Sequence, residues 1–133
     1  MGERPVALVT GASLGLGAEF ARLFASEGYD LVLTARNGER LSTLKKEVEN
    51  LHGVDVHIVV ADLADARAPA AIHEHVRARG FDIDVLVNNA GFGMYGKFHE
   101  SDLKTEMEMV QVNIVALMHL TKLFVRDMVA RRR

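Results

Sequence analysis

Cysteine is absent from the 133 residues, which excludes a disulfide framework, a thiolate metal site and a catalytic thiol. Charge of one sign is lacking too: 16 Lys and Arg against 18 Asp and Glu leave a formal net charge of −2. That balance gives no electrostatic case for binding nucleic acid or an anionic membrane. The apolar runs are too short or too interrupted to suggest a membrane span. Met1, Gly2, Glu3, Arg4 and Pro5 lead straight into a strand-like segment, so no signal peptide is expected. A soluble, cytoplasmic protein is the expectation. The composition, 49% hydrophobic and 26% charged, is that of an ordinary globular chain, and its length suits one domain. Arg131, Arg132 and Arg133 read as a solvated helix end, where cations suit the helix dipole.

Val6, Ala7, Leu8 and Val9 form a short apolar run between Pro5 and Gly11, the signature of a strand buried on both faces. Ala18, Phe20, Ala21, Leu23, Phe24 and Ala25 then recur at helical spacing until Gly28. Leu31, Val32 and Leu33 predict a second strand. A helix follows with Leu41, Leu44, Val48 and Leu51 on one face, closing at Gly53. Residues 56–60 predict a third strand. Asp65 is placed to cap a helix carrying Ala70, Ile72 and Val76, which closes at Gly80. Val85, Leu86 and Val87 predict the fourth strand, and Ser101 is placed to cap a long helix reaching Arg126 or beyond. Strand and helix alternate four times, which predicts an α/β fold: a Rossmann-like, doubly wound parallel sheet with right-handed crossovers.

Gly11, Gly15 and Gly17 fall where the first strand turns into the first helix. A phosphate needs such a turn, free of side chains, so that backbone N–H groups and the helix N-terminus face the anion. Gly11 permits the tight turn, Gly15 lets the backbone approach a pyrophosphate, and Gly17 allows close helix–strand packing. A tight packed turn without a ligand is the alternative. No Gly-Lys-Ser/Thr follows, so the turn is not a P-loop. Residues 91–96 match G-x-G-x-x-G in text only, because Lys97, Phe98, His99 and Glu100 intervene before the Ser101 cap. They read as a flexible apolar loop over a pocket. His73 and His75 lie on different faces of their helix, unlike the i, i+4 pair of a helical zinc site. They read as part of a solvated face, and no metal is expected.

With residues 10–17, Asp62-Leu63, residues 88–91 and Asn113 in register, the chain resembles the N-terminal half of the short-chain dehydrogenase/reductase family. The resemblance implies that Gly11, Ser13, Leu14, Gly15, Leu16 and Gly17 hold the phosphates and adjacent ribose of a dinucleotide. It implies that Asp62 and Leu63 face adenine, that Asn88 ties the central strands together, and that Ala90 and Gly91 lie along a ribose. Asn113 matches the family's catalytic Asn, which helps order a proton-relay water. Each has a plainer alternative: Asp62 starting a turn or capping a helix, Asn88-Asn89 as a strand-end turn, Asn113 as a kinking core residue.

The choice of dinucleotide follows from charge. A ribose 2′-hydroxyl is met by an acid roughly 20 residues past the glycines, whereas a 2′-phosphate calls for a cation there. Ala35 stands in the acid's place and Arg36 follows it. Arginine's planar, always-charged fork suits phosphate, and Ser13 adds a hydroxyl, so NADP(H) is favoured over NAD(H). A surface pairing of Arg36 with Glu39 is the alternative.

The family's chemistry also uses an upstream serine and a Tyr-x-x-x-Lys pair, whose phenol moves the proton at the substrate oxygen. The two tyrosines here, Tyr29 and Tyr95, are followed four positions on by Leu33 and His99. The 133 residues therefore read as a dinucleotide-binding half-domain without the catalytic and substrate half, inactive alone. A non-catalytic dinucleotide-binding module and an interaction protein are the competing readings. The fourth strand is expected to be an open edge. The long helix carries two apolar faces, Met107, Val110, Ile114 and Leu117 on one, Met109, Val112, Ala116 and Leu123 on the other. A homo-oligomer is expected.

Overall fold

The computed structural model describes residues 4–133. Four parallel strands, β1 (Val6–Thr10), β2 (Asp30–Ala35), β3 (Val56–Val60) and β4 (Val85–Val87), form one sheet in the order β3-β2-β1-β4. Helices α1 (Gly15–Ser26) and α2 (Gly38–His52) cover one face. There Ala18, Ala21, Ala25, Leu41, Leu44 and Val48 bury against Ala7, Val9, Leu31 and Leu33. Helices α3 (Ala68–Ala78) and α5 (Leu117–Arg131) cover the other. There Ile72, Val76, Leu120 and Phe124 bury against Leu8, Val32 and Val59. Alternate residues of each central strand thus feed opposite cores, which is why both strands read as unbroken apolar runs.

The order of strands switches sides at β1: β2 and β3 are added on one side of it and β4, still parallel, on the other. In open α/β sheets ligands bind in the crevice at that switch point, beyond the carboxyl ends of the strands. Among the described residues β4 has a partner on one side only and is half-buried throughout, the open edge expected of it.

Several local expectations need correction. Leu51 is exposed, and so are Leu23 and Phe20, so each apolar face is narrower than its hydrophobic residues suggested. Asp65 does not cap α3. It folds back on the Arg67 amide (2.9 Å) and guanidinium (2.9 Å), and those bonds hold its carboxyl at about 2. Ser101 is one position early: Asp102 caps α4 (Leu103–Val110) by accepting from the Thr105 amide at 3.1 Å. Neither end of the arginine run is free. Arg131 donates to the Ile83 carbonyl at 2.7 Å, and Arg133 pairs with Asp84 at 2.9 Å, tying the end of α5 to the start of β4.

A π-helical turn (Gln111–Ala116) joins α4 to α5, so residues 103–131 form one continuous helix. Contrary to expectation, this helix is by length and composition long and apolar enough to cross a membrane. Its apolar surplus is divided by packing. Val112, Ala116, Leu120 and Phe124 meet the sheet, while Met107, Val110, Ile114 and Leu117 are 63%, 41%, 59% and 42% exposed.

Candidate functional site

The four strands end along one edge of the sheet, and their outgoing segments carry the candidate residues. Residues 11–14 follow β1, Arg36 follows β2, Asp62 and Leu63 follow β3, and residues 88–91 follow β4. The main chain holds this rim in register beyond the strands: the Ala12 amide donates to Thr34 at 3.2 Å and the Ala61 amide to Ala35 at 3.1 Å.

Gly11 and Gly15 adopt φ of +62° and +61°, a left-handed conformation that side chains other than glycine's disfavour. Gly17 has the opposite reason to be glycine. Its backbone is unstrained, but a Cβ would overlap the Gly11 carbonyl and lie 2.6 Å from Asn89 Nδ2. The turn is therefore folded tightly onto the end of β4 while its outer side stays bare. α1 begins at Leu14 and Gly15 with no side-chain cap and no acid in its first turn, leaving its positive end open. Leu14 and Leu16 are exposed around it, and Ser13 is half-buried.

One buried hydroxyl clamps the turn to β4. Thr10 Oγ1 accepts from the Asn89 and Ala90 amides at 3.0 and 2.9 Å and donates to the Val87 carbonyl at 3.3 Å. The Asn89 side chain donates to the Gly11 carbonyl at 3.2 Å. Asn88 differs from expectation: its amide reaches outward to Thr121 on α5 (2.9 Å), and Thr10 and Asn89 make the tie between β1 and β4. The sequence places Thr10 in the motif of residues 10–17 but gives it no role of its own; its signal is a polar residue closing an otherwise apolar strand.

Asn113 sits in the π-helical turn and spends its whole amide on one backbone residue. Oδ1 accepts from the Phe92 N–H at 3.0 Å and Nδ2 donates to the Phe92 carbonyl at 2.7 Å. The approach is so close that a Cβ on Gly91 would lie 3.0 Å from Asn113 Oδ1. The extra residue in the turn brings this amide to the loop after β4, and the loop beyond it (Phe92, Gly93, Tyr95) stays exposed.

Arg36 is exposed and makes no ion pair among the described residues, so Glu39 is not its partner. A cleft of about 330 Å³ between α1 and α2 is lined by Ser13, Glu39, Arg40 and Thr43. Asp62 is exposed and turns its carboxylate onto the Ala64 amide at 2.9 Å. The Leu63 side chain is 8% exposed and belongs to the core under α3, so only its backbone faces the rim.

The histidines of α3 are not a solvated face. His73 bonds Asp127 at 2.7 Å, and His75 meets His57 of β3 at 2.9 Å, both partly buried. Among the described residues no three His, Cys, Asp or Glu side chains gather to hold a metal.

The family model for short chain dehydrogenases matches residues 5–133. A putative ketoacyl reductase of granaticin polyketide synthase from Streptomyces violaceoruber is 38% identical over 122 residues, covering 90% of this chain and 43% of that protein. A metagenomic short-chain oxidoreductase solved with NADP superposes with a TM-score of 0.91 at 38% identity, over 97% of this chain and 58% of that one. A short-chain dehydrogenase from Sphingobium yanoikuyae solved with NADPH gives 0.88 at 36% identity, over 96% and 49%. The chain thus spans only about two fifths to three fifths of the length of these relatives.

Proposed function

The chain belongs to the short-chain dehydrogenase family, and we propose that its 133 residues are the NADP(H)-binding portion of an oxidoreductase acting on a carbonyl or alcohol. The observation that carries this reading is the glycine turn, bare on its outer side, at the switch point of the sheet. The backbone amides of residues 13–17 and the open end of α1 receive the pyrophosphate. Arg36 and Ser13 receive the adenosine 2′-phosphate, Asp62 and the Leu63 backbone border adenine, and Ala90 and Gly91 line a ribose. NADP and NADPH in the similar structures support the choice of dinucleotide.

When bound, the dinucleotide would supply the hydride chemistry at its nicotinamide ring. Asn113, through its two hydrogen bonds to the Phe92 backbone, holds the loop that borders the reacting end. These residues include no Tyr-x-x-x-Lys pair to move the proton, so binding without turnover is expected of them alone.

Calorimetric titration tests the cofactor. NADPH is expected to bind at least about tenfold more tightly than NADH, with Arg36→Ala removing most of the gap, since each tenfold is about 1.4 kcal/mol. Equal affinities in the parent chain would refute the 2′-phosphate assignment.

The open edge of β4 and the exposed row Met107, Val110, Ile114 and Leu117 further support self-association. Light scattering is expected to give the mass of two chains or more. A mass of one chain, stable as concentration rises, counts against it.

A further inference from the structure

His57 on β3 and His75 on α3 place their Nε2 atoms 2.9 Å apart, with the rings stacked at 29° and Phe81 edge-on against His57. A contact of that length between two ring nitrogens is a hydrogen bond only while one of them keeps its lone pair. The pair therefore tolerates the neutral state and the singly protonated state, but not two imidazolium rings. We propose that His57 and His75 share one proton as a pH-sensitive latch between β3 and α3, which opens when both rings are protonated.

The surroundings work in the same direction. Burial, Arg79 at the end of α3, His75 and Lys45 of α2 all push the His57 pKa down. The acid of α2 nearest this strand, Glu49, is already engaged, accepting from the Val56 amide at 3.2 Å and lying 3.9 Å from Lys45. On the β2 side the residue opposite His57 is Val32, which is apolar. α5 engages α3 one residue away, through His73 and Asp127. No acid on these elements is bonded to the histidine pair, so a second proton finds like charges around it.

The latch matters because β3 is an outer strand of the sheet, paired among the described residues only with β2, and runs directly into Asp62 and Leu63. Unfolded histidines titrate near about 6.5. Because the folded His57 lies lower, the unfolded chain binds more protons between the two values. Stability is full above about 6.5 and falls as pH drops through that window.

The experiment compares the parent chain with His75→Gln by imidazole NMR and thermal melting at about pH 7.5 and about pH 5.5. An amide at position 75 offers both a donor and an acceptor, so it stays bonded to His57 in either protonation state. In the parent, the His57 ring is expected to titrate below the ordinary histidine range, and to move back toward it in His75→Gln. The parent's Tm is expected to fall between the two pH values by on the order of 4 °C more than that of His75→Gln. Titration of His57 alike in both chains, or equal Tm losses in both, would overturn the latch.

A second arm rests on the dinucleotide reading: NADPH affinity at the lower pH should fall several-fold in the parent and less in the variant. An equal fall in both counts against the latch. No NADPH binding at either pH counts against the dinucleotide reading alone, because the NMR titration judges the latch without it.

Discussion

Gly17→Ala is expected to cost about 3 kcal/mol of stability and to weaken NADPH binding at least about tenfold. The new methyl has nowhere to go. It meets the Gly11 carbonyl, which is backbone, and the Asn89 amide, which is bonded to that same carbonyl at 3.2 Å. A flexible side chain could swing aside, but here α1 must lift from the turn or the turn must lift from β4. Either movement breaks the geometry that presents the amides of residues 13–17. Gly15→Ala makes the informative comparison. A Cβ there meets nothing within 4 Å, and only the φ of +61° opposes it, a strain of about 1–2 kcal/mol. Urea melts and NADPH calorimetry on both variants check the ranking. If Gly17→Ala melts like the parent and binds as well, the tight approach of α1 to β1 is not what holds the phosphate turn.

The contrast between these glycines also marks how far the sequence could be read. Their spacing and their place between an apolar run and a helix were legible, because a strand buried on both faces leaves an unbroken apolar run. The contacts that bar a side chain at Gly11 and Gly17 were not: they involve Asn89 and Ala90, far along the chain. The same limit explains the other corrections. Asn88 bonding Thr121, His73 bonding Asp127 and His75 meeting His57 are side-chain partnerships between distant segments, which no local pattern encodes. The long helix shows a subtler case. Its two apolar faces were visible as periodicity, but their packing was decided by the crossing over the sheet. The π-helical turn around Asn113 shifts that periodicity midway. Only an amide stranded among Val110, Val112, Ile114 and Val115 hinted at it.

Thr10→Val is expected to destabilise the chain by about 3 kcal/mol, although the two side chains have nearly the same shape and valine suits a strand at least as well. Thr10 is 1% exposed, and its hydroxyl is the meeting point of three backbone groups from β4 and the residues after it. Replacing it with a methyl opens no cavity. It leaves the Ala90 amide without its acceptor, and leaves the Asn89 amide only the Val87 carbonyl, which it already approaches at 3.0 Å. A buried amide stripped of its partner costs about 1–3 kcal/mol, more than a hydrogen bond returns when it forms. Thr10→Ser separates this cause from packing, because it keeps the hydroxyl and removes one methyl, a loss of about 1 kcal/mol. The binding consequence follows from position, since the stranded amides belong to the residues proposed to border the dinucleotide. NADPH affinity should therefore fall with the valine and hold with the serine. Denaturant melts of the two variants decide the matter: if serine costs as much as valine, packing and not the shared hydroxyl joins β1 to β4.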